Sequence, residues 1–223
     1  MKYVFVIPAR GGSKRLPRKN VLLFKNKPLI AHTILYALDE IPNVPIYVST
    51  DSEEIASISK TYHAEVICRP TKLANDISTT AAAVKHAAQY LINKCVDYDY
   101  IILLQATNPL RPKNMIKEAI AIIDTQQCDS LATYSYCNRK LLRINAGKLE
   151  PINYYFGQRS QDMEKYLYEN GLLYIISKEQ ALNEKVQDRN TYPLIVNHPY
   201  GEVDIDTEED FKIADLYYDL YHA

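Results

Sequence analysis

The amino-acid sequence predicts an α/β fold with three layers, in which helices cover both faces of a doubly wound, mostly parallel sheet. The first observation is that β-rich runs alternate with segments of helical spacing over residues 2–134, as in repeated β-α-β units. The second is a composition of 47% hydrophobic and 24% charged residues, which is ordinary for a globular domain with a buried core. The third is the length of 223 residues, which fits one large domain at about 150 residues per domain. We therefore predict a single domain over residues 1–223.

Each predicted element rests on its own pattern. Strands are predicted where short runs rich in β-branched and aromatic residues meet turn residues, at 2–7, 46–49, 65–68, 100–104, 130–134 and 172–176. Helices are predicted where apolar residues recur every three or four positions, at 28–39, 51–62, 76–94, 113–124 and 207–221. Asp51 or Ser52 can cap the second helix, because a side-chain oxygen there can accept a free backbone N–H. Ligands bind beyond the carboxyl ends of parallel strands, so the loops that follow the strands are the candidate sites.

Residues 138–168 interrupt this regular pattern. The segment is polar and irregular, and it carries Tyr154, Tyr155 and Phe156 in a row. We predict that it forms a protruding arm within the single domain. Aromatic side chains that are exposed together form an apolar patch, and such patches usually mark a contact surface. The alternative is that the three aromatics fold back onto their own sheet.

Composition and motif searches exclude several classes of protein. No run approaches 18 apolar residues, so no membrane helix is predicted. The net charge of −1 gives no overall attraction for nucleic acid. The four cysteines show no C-x-x-C spacing, which argues against a zinc knuckle or a disulfide framework and favours reduced thiols in a cytoplasm. The absence of H-E-x-x-H and G-x-S-x-G removes zinc hydrolysis and serine acyl transfer.

The loop after the first strand, residues 8–20, is the strongest candidate for a phosphate-binding site. Gly11 and Gly12 would let backbone amides approach a ligand closely. Arginine and lysine would supply the charge that a triphosphate needs. The alternative is a solvated basic loop. Five of the ten residues at positions 10–19 are cationic, namely Arg10, Lys14, Arg15, Arg18 and Lys19.

The segment at residues 200–210 predicts a metal site. In extended backbone, residues two apart share a face, so Asp204 and Asp206 point together while Val203 and Ile205 face the core. Two such carboxylates can hold Mg²⁺ together with substrate phosphates. Thr207 followed by Asp210 forms a capping-box pattern, so the acids at positions 208–210 are interpreted as the first turn of the last helix.

Three further loops offer weaker signals. Gln105 can both donate and accept hydrogen bonds, which suits a base or a sugar, although the loop can also be a plain turn. Arg69 can reach a nucleotide, while Asp76 and Ser78 can equally be helix N-caps. Arg159 in the arm can clamp a substrate carboxylate through two hydrogen bonds, or it can be an ordinary surface charge.

Taken together, these segments resemble the acylneuraminate cytidylyltransferases, the CMP-sialic acid synthetases. The resemblance covers nearly the whole chain, and its first and last motifs are the most specific. The matching segments, in the family's order, are Ile7-Pro8-Ala9-Arg10-Gly11-Gly12-Ser13-Lys14-Arg15-Leu16-Pro17-Arg18-Lys19-Asn20, Ser49-Thr50-Asp51, Arg69-Pro70, Leu103-Leu104-Gln105-Ala106-Thr107-Asn108-Pro109-Leu110-Arg111 and Asp204-Ile205-Asp206-Thr207.

The resemblance implies a fold like that of nucleotide-diphospho-sugar transferases and a defined reaction. The anomeric hydroxyl of a nine-carbon keto-sugar acid would attack the α-phosphorus of CTP, and pyrophosphate would leave. The implied catalytic residues are Arg10, Lys19 and Asp206. The implied nucleotide-binding residues are Ala9, Arg10, Gly11, Gly12, Ser13, Lys19, Asn20, Arg69 and Ser78. The implied sugar-binding residues are Gln105, Arg159 and Gln161, and the implied metal ligands are Asp204 and Asp206.

The resemblance further implies Mg²⁺ as cofactor, for which Mn²⁺ can substitute, and a cytoplasmic homodimer whose arm reaches the partner near the sugar site. Its product would feed the synthesis of cell-surface polysaccharide. No nucleic-acid or membrane partner is expected.

The sequence departs from the family pattern near the expected sugar site. Ala106 and Asn108 replace the usual proline and serine, and Glu164 and Lys165 occupy a stretch that usually holds a proline. The sugar can therefore be sialic acid, legionaminic acid or another nonulosonic acid. Two alternatives remain: a cytidylyltransferase for the eight-carbon acid Kdo, and a nucleotide-binding module without catalysis.

Overall fold

A computed structural model describes residues 1–221 and shows a central seven-stranded sheet. The last two residues of the predicted domain, His222 and Ala223, lie outside the described residues. The strands are β1 (Tyr3–Pro8), β2 (Leu23–Phe24), β3 (Lys27–Pro28), β4 (Ile46–Thr50), β5 (Glu65–Cys68), β6 (Tyr100–Leu103), β7 (Ser130–Cys137), β8 (Leu142–Asn145), β9 (Lys148–Pro151), β10 (Tyr166–Ser177) and β11 (Tyr192–Ile195). The helices are α1 (Leu29–Glu40), α2 (Glu53–Thr61), α3 (Thr80–Asn93), α4 (Met115–Gln126), α5 (Lys178–Leu182) and α6 (Glu208–Tyr221).

The sheet is mostly parallel, as predicted. Its strand order is β11-β7-β10-β6-β1-β4-β5. β10 is antiparallel to both of its neighbours, β6 and β7, while the other pairs are parallel. Six strands therefore place their carboxyl ends along one edge, and the candidate loops meet there.

The three-layer arrangement follows from the alternation of side chains along β1. Phe5 and Ile7 pack on one face of the sheet with α1, α2 and α4. Val4 and Val6 pack on the other face with α3 and α5. All four side chains are buried to 1% exposure or less, and each contributes about 1.5–3 kcal/mol through burial. The predicted fold class is therefore confirmed.

One helix boundary differs in a way that matters for the site. The sequence predicted a helix over 76–94, whereas α3 begins at Thr80. The side chain of Thr79 accepts a hydrogen bond from the N–H of Ala82 and is the N-cap, so the reading of Asp76 and Ser78 as caps is wrong. The residues before Thr79 therefore lie outside the helix, and three of them, Asn75, Asp76 and Ser78, line a cavity.

The arm is more regular than the sequence predicted. β8 and β9 form an antiparallel hairpin within it, and β10 begins at Tyr166, six residues before the predicted start. The early part of β10 pairs with the end of β7, and the register shifts between Glu169 and Tyr174. Gly171 adopts a positive φ of 69° at this irregularity, a conformation that glycine accepts at little cost.

A small cluster next to α6 fixes the segment that precedes this helix. Phe24, Leu110, Val203 and Ile205 are among its buried members. The cluster joins strand β2 and the start of α1 to the loop after β6, the segment before α6 and α6 itself. It thereby brings together parts of the chain that are about two hundred residues apart in the sequence.

No helix within residues 1–221 is long and apolar enough to span a membrane.

Candidate active site

A cavity of about 450 Å³ lies at the edge of the sheet where β1 and β6 end. Eight of the site residues that the family resemblance implies line it: Arg10, Ser13, Lys19, Asn20, Arg69, Ser78, Gln105 and Asp206. Lys14, Arg15 and Asp76 also line the cavity. Its five basic and two acidic side chains give a formal charge of five minus two, or +3. A cavity with this charge suits a polyanionic ligand.

Two basic side chains meet a carboxylate on the wall formed by residues 75–79. Arg10 lies 3.1 Å from Asp76 and also donates a hydrogen bond of 2.9 Å to the carbonyl of Asn75. Lys14 lies 2.5 Å from the other oxygen of Asp76. The hydrogen bond from Lys14, assisted by Arg10, lowers the pKa of Asp76 below its ordinary value. These side chains are well exposed, so water screens the pairs strongly.

The other wall holds a half-buried ion pair. The Nζ atom of Lys19 lies 2.6 Å from Oδ1 of Asp206, and the lysine side chain is only 8% exposed. Arg15 pairs with Oδ2 of the same carboxylate. Lys19 follows Arg18, which adopts the left-handed conformation, and begins a short 3₁₀ turn. The sharp change of direction turns Lys19 inward from the basic loop.

Arg69 is a buried cation without a carboxylate ion pair among the described residues. One Nη donates to the carbonyl of Ser49 at 2.9 Å, while the buried Nε has no hydrogen-bond partner. Burial lowers the pKa of its guanidinium from the ordinary value. A buried charged group with an unused donor costs free energy unless it is paired, and an anion in the cavity would satisfy Arg69.

The role expected for Gly11 needs correction. The sequence suggested that its backbone amide approaches a ligand, but this N–H donates to the side chain of Asp51 at 2.9 Å. A Cβ at this position would lie 2.8 Å from the Cβ of Ser52. Gly11 therefore allows the basic loop to pack closely against the start of α2. Ala9 is buried, and neither it, Gly11 nor Gly12 is among the cavity-lining residues in the described chain.

Asn20 and Ser78 contact the cavity from opposite walls. The amide of Asn20 donates to the carbonyl of Arg10 at 3.0 Å, and its buried Oδ1 has no partner. The hydroxyl of Ser78 donates to Oδ1 of Asn75 at 2.8 Å. Asn20 thus fixes the backbone of the basic loop and leaves an acceptor for a ligand donor.

The two predicted metal ligands differ in position. Val203 and Ile205 face the core as expected, and Asp206 faces the cavity. Asp204 is exposed and does not appear among the cavity-lining residues of the described chain. One carboxylate that faces a phosphate-binding cavity suffices for Mg²⁺, since this ion takes one or two carboxylates and completes its shell with phosphates and water. The residues present therefore fit Mg²⁺ through Asp206.

The interpretation of the acids at positions 208–210 as the first turn of a helix is confirmed. Asp210 accepts hydrogen bonds from the N–H groups of Asp206 and Thr207, while Thr207 Oγ1 accepts the N–H of Asp210. Burial alone would raise the pKa of Asp210, but these hydrogen bonds lower it below its ordinary value. This reciprocal capping fixes the backbone on the C-terminal side of Asp206.

Arg159 and Gln161 lie in the arm and are exposed. Arg159 Nε pairs with Asp162 at 2.7 Å, and neither residue is among those that line the cavity within the described chain. The structure of one chain therefore does not bring the predicted sugar-binding arm residues together with Gln105.

Sequence reasoning missed two residues around the cavity. Asp76 was considered only as one of two N-cap candidates, and its ion pairs with the basic loop depend on how the two loops meet in space. Arg111 was seen only as part of a motif. It is fully buried and donates to Leu172 O, Gln105 O and Thr33 Oγ1, and burial lowers its pKa to about 10. The sequence signal that could have indicated this role is a lone arginine directly after the apolar residues Pro109 and Leu110.

The fold and the cavity together describe an α/β protein with a cationic cavity at the edge of the sheet where its parallel strands end, the place and charge expected of a site for a polyanionic ligand. The family model described as Cytidylyltransferase matches residues 4–221 of this chain. The protein belongs to that family of enzymes, and the family expected from the sequence motifs is confirmed.

Several curated relatives match nearly the whole chain. The chain is 32% identical to the pseudaminic acid cytidylyltransferase of Campylobacter jejuni (strain 81-176), over 100% of this chain and 98% of that protein. It is 32% identical to the CMP-N,N'-diacetyllegionaminic acid synthase of Legionella pneumophila, over 99% and 97%. It is also 32% identical to the N-acylneuraminate cytidylyltransferase of Streptococcus agalactiae serotype V, where 98% of this chain spans 54% of the relative.

Solved structures with the same fold are more distant in sequence. A CMP:2-keto-3-deoxy-manno-octonic acid synthetase in complex with CTP has a TM-score of 0.70 and 19% identity, over 99% of both chains. A 4-diphosphocytidyl-2C-methyl-D-erythritol synthase from Anaerococcus prevotii has a TM-score of 0.66 and 12% identity, over 98% of this chain and 99% of that one. At these identities the similarity establishes the fold.

Proposed function

We propose that this protein activates a nonulosonic acid, a nine-carbon keto-sugar acid, with CTP to give the CMP-sugar and pyrophosphate. The observation that supports CTP as one substrate is the cationic cavity, which has five basic side chains at the edge of the sheet where the parallel strands end. A nonulosonic acid as the other substrate is supported by relatives that match over nearly their full length and are named for pseudaminic and legionaminic acids. The proposal includes a cytoplasmic location for the reaction and the use of its product in cell-surface polysaccharide synthesis.

The chain's own residues divide the work of binding the triphosphate. Phosphoryl transfer depends mostly on positioning and charge neutralisation, so the cations carry most of the reaction. Arg10 and Lys19 hold the triphosphate, and Arg69 neutralises it from the buried side of the cavity. Asn20 and Ser78 orient the nucleotide.

Asp206 is the residue that would hold Mg²⁺, with Mn²⁺ as a substitute. The bound ion supplies charge neutralisation for the phosphates. Because Asp206 is paired with Lys19, the same carboxylate also keeps the lysine ammonium pointed into the cavity. Asp204 is the weaker candidate ligand, since it is exposed outside the cavity lining.

The enzyme is proposed to act as a homodimer through the arm. The hairpin side chains Ile144 and Leu149 are 78% and 59% exposed, and Tyr155 and Phe156 are 67% and 63% exposed. The exposure of Tyr155 and Phe156 argues against the alternative in which the aromatics fold back onto their own sheet, whereas Tyr154 is half-buried. In a two-fold dimer each arm reaches the other subunit reciprocally, which would bring Arg159 and Gln161 to the partner's sugar site beside Gln105.

Light scattering tests the dimer directly. We expect a mass of about twice the 25.6 kDa of one chain at micromolar concentration, and a monomer after Tyr155→Ser and Phe156→Ser are combined. The matched control is Leu23→Ser, which removes a 67% exposed side chain outside the arm and should leave the dimer intact. A wild-type mass near that of one chain would contradict the proposal. A dimer that survives the double substitution would reject the arm as its cause.

Pyrophosphate release with CTP and a panel of keto-sugar acids tests the function. We expect turnover with at least one nine-carbon acid and little with the eight-carbon acid Kdo. Preferred turnover of Kdo would favour the alternative enzyme. The similarity of this chain to the solved octonic acid synthetase establishes the shared fold alone. CTP binding without pyrophosphate release from any acid would favour a non-catalytic module.

A further inference from the structure

Two hydrogen bonds join the loop after β6 to the segment before α6. Asn108 Nδ2 donates to the carbonyl of Val203 at 2.6 Å, and the N–H of Ile205 donates to the carbonyl of Thr107 at 2.9 Å. Asn108 is only 1% exposed, so water does not compete for its bond. The two segments are 95 residues apart in the sequence, and this junction fixes one against the other.

The junction determines where Asp206 lies. Asp206 directly follows Ile205, whose side chain is fully buried. On its other side, the backbone N–H of Asp206 donates to Asp210 at 3.0 Å. The backbone of Asp206 is therefore held from both directions, and its carboxylate reaches Lys19 at 2.6 Å.

The loop that carries Asn108 is itself firmly anchored. The buried Arg111 donates to the carbonyl of Gln105 at 2.7 Å and to the carbonyl of Leu172 at 2.8 Å. Gly171 lies beside the loop, where a Cβ would be 3.4 Å from Oδ1 of Asn108. The side chain of Asn108 thus projects from a rigid base, which is what a positioning contact requires.

We propose that Asn108 is a positioning residue that sets the place of Asp206 in the cavity through the carbonyl of Val203. Asn108 is absent from the cavity lining, so it acts through the segment at 203–206 and not on the ligand. The proposal rests on the proposed function, in which Asp206 acts on the triphosphate and its metal ion. It assigns a role to the amide at a position where the sequence departs from its family's usual serine.

Substitution of Asn108 tests the proposal with two independent readouts. Asn108→Ala removes the donor and leaves the buried Val203 carbonyl unpaired. Tyr100→Phe is the matched control, since it removes a side-chain hydrogen bond of 3.1 Å to the Cys128 carbonyl at the opposite end of β6. The readouts are amide hydrogen exchange at Ile205 and the Mg²⁺ concentration that gives half-maximal turnover. Asn108→Ser is measured in parallel under the same criteria, in case the alanine variant does not fold.

In Asn108→Ala we expect the Ile205 amide to exchange at least about tenfold faster, because local opening becomes easier, while amides of β6 keep their wild-type rates. The half-maximal Mg²⁺ concentration should rise at least about fivefold and kcat should fall about tenfold or more, since small misplacements of a reacting group are costly. Tyr100→Phe should change none of these. Unchanged exchange at Ile205, or an unchanged Mg²⁺ requirement, would overturn the proposal.

The wild-type protein separates this proposal from the function on which it rests. If wild type does not turn over CTP, the proposed function fails, and the exchange rate of Ile205 still decides whether Asn108 holds the segment. If wild type is active and Asn108→Ala exchanges and behaves like wild type, only the role of Asn108 is lost.

Discussion

Two carboxylates face the same cavity from opposite walls, and each pairs with two cations of the basic loop. Asp206 pairs with Lys19, whose side chain is 8% exposed, and with Arg15. Asp76 pairs with Arg10 and with Lys14, whose side chain is 81% exposed. The Asp206 cluster thus includes one buried cation, Lys19, beside the exposed Arg15, whereas both cations paired with Asp76 are at least partly exposed to water.

The difference in burial separates a fixed feature from an exchangeable one. Exposed ion pairs contribute about 0–1 kcal/mol, so phosphate oxygens can replace Asp76 as the partner of Arg10 and Lys14 at little cost. Removing Asp206 is more costly, because it leaves the buried ammonium group of Lys19 without its partner. We therefore interpret the Asp206 wall as preorganised and the Asp76 wall as the side that changes partners when the ligand binds.

The largest effect is expected at Asp206. Asp206→Asn keeps the shape of the side chain but removes its charge, so kcat should fall by about 10²–10³-fold, the range found when one electrostatic contact to a reacting group is lost. Asp204→Asn should have a smaller effect, because Asp204 does not line the cavity. Steady-state kinetics at saturating Mg²⁺ measures both, with thermal melting as the control for folding. Full activity of Asp206→Asn would remove the metal assignment, and equal losses in both variants would contradict the distinction between them.

The next largest effect is expected at Arg69, the buried cation without a carboxylate ion pair among the described residues. Arg69→Gln should raise the KM for CTP by about 10–150-fold, corresponding to 1.5–3 kcal/mol for hydrogen bonds to a charged group. The KM for the sugar should stay near its wild-type value. Arg18→Gln is a control, since Arg18 pairs with Glu54 outside the cavity lining of the described residues. A normal KM for CTP in Arg69→Gln would show that the guanidinium does not meet the nucleotide.

Arg159 should affect the other substrate. Truncating a two-point clamp on the sugar carboxylate, as in Arg159→Ala, should lower kcat/KM for the sugar by about 1.5–3 kcal/mol. The KM for CTP should not move. If instead the KM for CTP changes and the sugar parameters do not, Arg159 belongs elsewhere in the mechanism.

The smallest effect, with the opposite sign, is expected at the exposed wall. Asp76→Asn frees Arg10 and Lys14, so the KM for CTP should fall by at most about fivefold, as expected for an exposed pair. The gain should shrink between about 0.01 M and about 1 M salt, where the screening length falls from about 30 Å to about 3 Å. A large increase in the KM for CTP would contradict the exchangeable role of Asp76.

The sheet could be predicted well because its strands and helices carry local patterns. The strand at 65–68 was predicted with its observed bounds, and the segment Val203–Ile205 was predicted with the correct buried side chains. The antiparallel direction of β10 could not be predicted from such local patterns. Direction depends on how the arm returns the chain to the sheet, and no residue within the strand encodes it. β11 was missed because it has four residues and contains Pro193.

Several residues of the site could be predicted from the sequence, but the contacts between them could not. Lys19 and Asp206 were both named from the sequence, yet their contact joins positions 187 residues apart. Gly11 was named for the wrong reason, since its close neighbour is Ser52 and not a ligand. Residue types indicate which groups can do chemistry, whereas the packing of loops decides which groups meet.

Nucleotide choice tests the central claim most directly. Charge alone would accept any nucleoside triphosphate, whereas a cytidylyltransferase should discriminate by the base. Pyrophosphate release is measured with equal concentrations of CTP, UTP and ATP in the presence of a nonulosonic acid that supports turnover. We predict that kcat/KM is highest for CTP and that the product is the CMP-sugar. Faster turnover with UTP or ATP would contradict the account.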